Sequence, residues 1–205
     1  KTVISMNSRL VISLDFELHW GQFDHVRITR DSINMFKRTR ALIPLLLDRF
    51  EQREIRATWA TVGALFAKDR EQLIKYLPHP RPKYEEEKYD AKTSLIDSRL
   101  IGKDEAHDPC HFGYSLLRRI QDTTGQEIGS HTYAHVFPLE RGFQKEDLKA
   151  DLEAAQAISE ENFGMHLHSL VFPRNQYEEQ LLPVLKESGI KTYRMNPAHW
   201  FWTPK

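Results

Sequence analysis

Three short stretches hold most of the chemistry available to this chain. Asp15 and Glu17 stand two residues apart at the end of one apolar run, His131 and His135 four apart after a second, and Arg174-Asn175 after a third. Side chains at i and i+2 of an extended strand point to the same side, which places both carboxylates to share one site. Imidazoles at i and i+4 meet one metal ion when the residues between them make a helical turn. One carboxylate with two imidazoles is a ligand set for a hydrolytic metal that keeps positions open for water and substrate. Arg174 has the planar fork that orients a carboxylate, though a surface ion pair would use it equally well.

The chain holds ten histidines, so the spacing alone is cheap: about half of one such pair is expected by chance. A second pair exists in His107 and His111, with Asp108 and Cys110 between them. Pro109 stiffens that segment, and it leads out of a charged stretch instead of off a strand. His107, Cys110 and His111 are therefore expected to be dispensable for chemistry. Position after an apolar strand favours His131 and His135, because parallel α/β folds gather their sites at the C-terminal ends of strands.

The elements that must hold these residues follow from periodicity. Residues 9–17 and 55–63 read as strands, and 31–50 as a helix with apolar positions at 33, 36, 42, 45, 46 and 50, bent near Pro44. Residues 78–108 carry Pro-His-Pro-Arg-Pro and a charged run, which reads as a long surface insertion. The rhythm resumes with helices near 112–121, 145–162 and 177–188, and strands at 126–130, 168–172 and 190–194. Alternation of this kind predicts an α/β fold with a mainly parallel sheet, open or closed into a barrel, in one domain spanning 1–205.

Lys plus Arg equals Asp plus Glu at 29 each, which leaves no excess positive charge to drive nucleic-acid binding. The longest apolar runs are far too short to cross a bilayer. Cys110 is the only cysteine, which excludes an intrachain disulfide framework, and a cytoplasmic location is expected. No glycine-rich phosphate loop, nucleophile elbow or Cys-x-x-Cys pair competes for the site.

The ordered motifs resemble the polysaccharide deacetylase superfamily with its NodB-homology domain. Ser13-Leu14-Asp15-Phe16-Glu17 is similar to the first motif, Ala57-Thr58-Trp59-Ala60-Thr61-Val62-Gly63 to the strand that follows, and Glu127-Ile128-Gly129-Ser130-His131-Thr132 with His135 to the metal motif. Phe172-Pro173-Arg174-Asn175 falls at the groove motif and Gly189-Ile190-Lys191-Thr192-Tyr193-Arg194 at the fifth strand. Two departures stand out: Phe16 separates acids that are adjacent in many members, and the Arg-x-Pro order of the groove motif is missing.

The resemblance implies a distorted (β/α) barrel, incomplete at the C-terminus of this chain. It implies a divalent metal on Glu17, His131 and His135, with zinc first and cobalt, nickel or manganese as alternatives. Asp15 would be the base, Arg174 its orienting cation, and the substrate an acetylated polysaccharide or amino-sugar oligomer. Asn175, Trp20, Trp59 and Tyr133, with Trp200 and Trp202, are the expected sugar contacts. The family's acid histidine is expected beyond Lys205, since His199 follows the fifth strand too closely. Two other functions stay open, an amidohydrolase for a small cyclic C–N substrate and a non-catalytic carbohydrate-binding relative.

Overall fold

The computed structural model describes residues 10–195. Five strands, β1 (Ser13–Phe16), β2 (Ala57–Thr61), β3 (Gln126–Ser130), β4 (Ser169–Val171) and β5 (Thr192–Arg194), pair in sequence order and all in parallel. The helices are α1 (Arg30–Gln52), α2 (Arg70–Lys75), α3 (Tyr114–Asp122), α4 (Lys145–Phe163) and α5 (Leu182–Glu187). Parallel neighbours require crossovers, and these helices supply them. Thr29 opens α1 by accepting the Ser32 amide while the Ser32 hydroxyl receives the Thr29 amide, a reciprocal cap. Gly164, in the left-handed region at φ 62°, closes α4.

Four strand spacings of about 4.8 Å would put β1 and β5 about 19 Å apart in a flat sheet, more than an arginine side chain can span. Yet Arg194 of β5 donates to Ser13 Oγ at 2.6 Å and to both oxygens of Asp15 on β1. The sheet is therefore curled into a half-barrel whose two edges face each other across the concavity. Alternation along the strands assigns the two faces. Ser13, Asp15, Thr58, Glu127, Ser169, Thr192 and Arg194 line the inside, where Glu127 receives the hydroxyls of Thr58 and Ser169. Phe16, Trp59, Ile128 and Leu170 are buried outside against the helices.

The expected strands and helices lie where periodicity placed them, with shorter strands. Pro44 sits inside α1. After β2 the chain makes a single tight turn, Gly63–Phe66, before α2. Residues 78–108 differ more. Ala91, Leu95, Ile96 and Ile101 are buried in the main apolar cluster, so the stretch is only partly a surface insertion. Its apolar residues are too sparse to show a period. Among the described residues no helix is long and apolar enough to cross a membrane.

Candidate metal centre

Glu17 lies one residue past β1, where the chain leaves the extended conformation at φ −131°, ψ −20°. Its side chain folds over Gly21: a Cβ at position 21 would collide with the Glu17 carboxylate, so a larger residue there would push this carboxylate aside. His131 follows β3, and its amide donates to Thr61 O at 2.8 Å. Between the histidines the backbone is not a regular helical turn, because Thr132 and His135 are left-handed at φ 62° and 53°. Three supports compensate that strain. Thr132 Oγ1 receives the Val136 amide, Ser130 Oγ receives the Thr132 amide, and Asp151 of α4 receives the amides of Tyr133 and Ala134. Gly63 lets the β2 turn approach this loop, since a Cβ there would lie 2.9 Å from Tyr133 Cα.

The result brings Glu17 Oε2 to 3.2 Å from His131 Nε2 and 3.2 Å from His135 Nε2. Both imidazoles are buried and the carboxylate is partly so. His131 Nδ1 lies 2.8 Å from Val171 O, an acceptor only, so Nδ1 carries the hydrogen, and when the ring is neutral Nε2 presents a lone pair to Glu17. A lone pair facing a carboxylate oxygen calls for a cation between them. Ligands about 2.1 Å from a tetrahedral ion stand about 3.4 Å apart, close to the spacings here, and a backbone partner on the far ring nitrogen is what metal-binding histidines normally have. The residues fit a divalent ion. Among the described residues this trio is the one His/Cys/Asp/Glu group with its donor atoms close enough to hold one.

Burial works against the charge on Glu17; while the facing imidazoles carry their protons, the hydrogen bonds and charge of His131 and His135 outweigh it and hold the carboxyl well below its usual range. Burial pushes His135 down, the direction that keeps it neutral and ready to bind. Burial pushes Asp151 up to about 7 despite the two amides it receives.

Asp15 belongs to a different pair. Arg194 Nη2 reaches both of its oxygens, at 3.1 and 3.0 Å, while Nη1 donates to Ser13 Oγ. This corrects the expectation for Arg174, which instead donates to Asp24 Oδ1 at 2.6 Å and lies over the Phe137 ring. The left-handed backbone at Arg174 and Asn175 turns that side chain toward Asp24. Asn175 is half-buried.

The aromatic expectations are also corrected. Trp20 and Tyr133 are wholly buried, with the indole N–H on His111 O and the phenol on Leu73 O. Trp59 is buried against Phe50, with its N–H on Gln126. None of the three can offer a ring face to a sugar. His199, Trp200 and Trp202 lie outside the described residues. Cys110 and His111 are likewise buried.

The fold and this cluster define a class: a curled parallel β/α half-barrel with a carboxylate and two histidines gathered at its strand ends. The chain belongs to the polysaccharide deacetylase family, whose model matches residues 22–193. No curated protein sequence matches. Among solved structures, the chain is similar to a Mycobacterium smegmatis protein classed with the polysaccharide deacetylases, at 15% identity and a TM-score of 0.53 over 88% of this chain and 48% of that one. It is also similar to the chitin deacetylase of the fungus Colletotrichum lindemuthianum, at 16% identity and a TM-score of 0.49 over 90% and 54%. A CE4 family pseudoenzyme from Bacillus anthracis matches at 12% identity and 0.48 over 89% and 42%. The chain thus spans about half the length of these relatives.

Proposed function

We propose that this chain is a metal-dependent hydrolase that removes N-acetyl or O-acetyl groups from a polysaccharide or amino-sugar oligomer. The observation behind the proposal is the meeting of Glu17 Oε2 with the Nε2 atoms of His131 and His135, while the other nitrogen of His131 is committed to Val171 O. A divalent ion held there, zinc in the first instance, would polarise the acetyl carbonyl and lower the pKa of an attacking water.

The remaining work falls to the chain's own groups. Asp15, held by Arg194, takes a proton from the water as its oxygen adds to the acetyl carbon, and that proton can pass to the leaving amine or alcohol as the C–N or C–O bond breaks and acetate is released. Asn175 and the polar concave face offer hydrogen bonds to the sugar, and Arg174 braces Asp24 beside the histidine loop.

Acetate release from N-acetylated chito-oligosaccharides tests the proposal. Release should stop on chelation and return with zinc. Zinc binding without acetate release would point to a carbohydrate-binding relative, and cleavage of a cyclic ureide alone to the small-substrate amidohydrolase.

A further inference from the structure

Behind the turn that carries Glu17 lies a buried chain of polar side chains for which the proposed chemistry has no use. His19 Nε2 is 2.7 Å from Val26 O, His19 Nδ1 is 2.7 Å from His111 Nε2, and His111 Nδ1 is 2.8 Å from Asp108 Oδ2. Asp108 also receives the amides of Gly102 and Cys110. Two further bonds join the same partners, His19 N to Cys110 O at 3.2 Å and Trp20 Nε1 to His111 O at 2.9 Å. From the other side, Arg40 of α1 donates to Phe112 O at 2.6 Å and pairs with Glu105. The segment 102–112 is thereby fixed to α1 and in turn grips residues 19 and 20.

The hydrogens of this chain can be counted. Val26 O and the Asp108 carboxylate only accept, so three links between two imidazoles need three ring hydrogens. Two neutral rings supply two. One further proton is therefore shared along the chain, on a ring beside the ionised Asp108 or on Asp108 itself, and either way every link is satisfied. The chain ends on a backbone carbonyl, so it presents no free nucleophile. What it does present is a directional clasp on the turn of residues 17–22.

That turn needs one. Leu18 is left-handed at φ 48°, a costly conformation for a leucine, and the Glu17 carboxylate rests directly on Gly21. We propose that Asp108 and His111 are positioning residues for the metal centre: acting through His19, they hold the turn so that Glu17 meets His131 and His135. The inference rests on the metal-dependent reading of the site. It gives the segment 102–111 a task that its sequence, read as a stray His/Cys cluster, did not suggest.

The test is zinc affinity, measured by competition with a chromophoric chelator, beside the visible spectrum of the cobalt-loaded protein. Asp108→Asn and His111→Gln should weaken zinc by about tenfold or more and shift the cobalt bands. Trp20→Phe, which deletes one bond of the clasp, should weaken zinc by about threefold, and His107→Ala, on the exposed side of the same segment, should do nothing. Asp108→Asn and His111→Gln proteins that melt earlier yet keep wild-type zinc affinity and cobalt spectrum would overturn the proposal, as would an equal loss in His107→Ala. Should the first two not fold, Trp20→Phe decides, and unchanged affinity there overturns it. Glu17→Gln separates the two levels: if that variant also binds zinc like the wild type, the metal reading itself has failed.

Discussion

Asp15 and Glu17 are two residues apart, yet the structure gives them unlike partners, a guanidinium for one and two imidazoles for the other. A base must be ionised to take a proton but need not touch the ion, whereas a ligand contributes its charge to holding it. Asp15→Asn should therefore abolish acetate release with zinc content unchanged, and Glu17→Gln should lose zinc, both read by elemental analysis beside an acetate assay. The reverse pattern would exchange the two assignments. Arg194→Lys keeps a charge but cannot bond Asp15 and Ser13 through two separate nitrogens, so kcat should fall about 10–100-fold with little change in KM. The grouping of Glu17 with His131 and His135 was legible in the sequence because each lies past the end of an apolar strand. Arg194 was not, since nothing in a linear chain says that the fifth strand curls back to face the first. The aromatics misled for a related reason: a tryptophan near a strand end fits a buried wall as well as an open groove, and only curvature tells them apart.

At the level of elements, β–α alternation was readable because apolar spacing survives in one sequence, and the segment 78–108 was not because its buried residues are too sparse to show a period. Asp151 left a signal that was passed over: it shares the face of α4 with Leu148, Leu152 and Ala155, where an acid is out of place. Its carboxyl caps two amides of the histidine loop, with a pKa raised to about 7 from 3.8. The sign follows from the raised value. The folded state holds the proton more tightly, so this contribution is full below about pH 4 and is lost as pH rises through about 7. His19, pushed down to about 4 by burial, acts in the opposite direction over part of this window, so wild type alone would not isolate Asp151. The difference between wild type and Asp151→Asn does. In metal-free protein, urea titrations from pH 4 to 7 should show the wild-type advantage shrinking by a few kcal/mol as pH rises. A difference that stays flat would mean that Asp151 does not titrate there.

For the whole molecule, the concave face is braced at two levels. Arg194 ties β5 to β1 across the opening, and Glu17, His131 and His135 draw the ends of β1 and β3 together, with His131 also anchored to β4 through Val171 O. An ion in the trio adds its binding energy to the folded state alone, because the ligands are far apart in sequence and do not form a site in the unfolded chain. Zinc at 100 times its Kd should add about 2.7 kcal/mol, and for a chain of this size each kcal/mol moves Tm by about 2–4 °C, so a rise of about 5–10 °C is expected. Glu17 is already ionised across the ordinary range and burial keeps His135 neutral, so few protons need to leave at pH 7.5. Calorimetry in buffers of different ionisation enthalpy should then find well under one proton released per zinc. Below about pH 6 protons compete for the imidazoles, and both the affinity and the Tm gain should fall. A Tm gain that persists in Glu17→Gln, or that does not weaken in acid, would place the bound ion somewhere other than at these three residues.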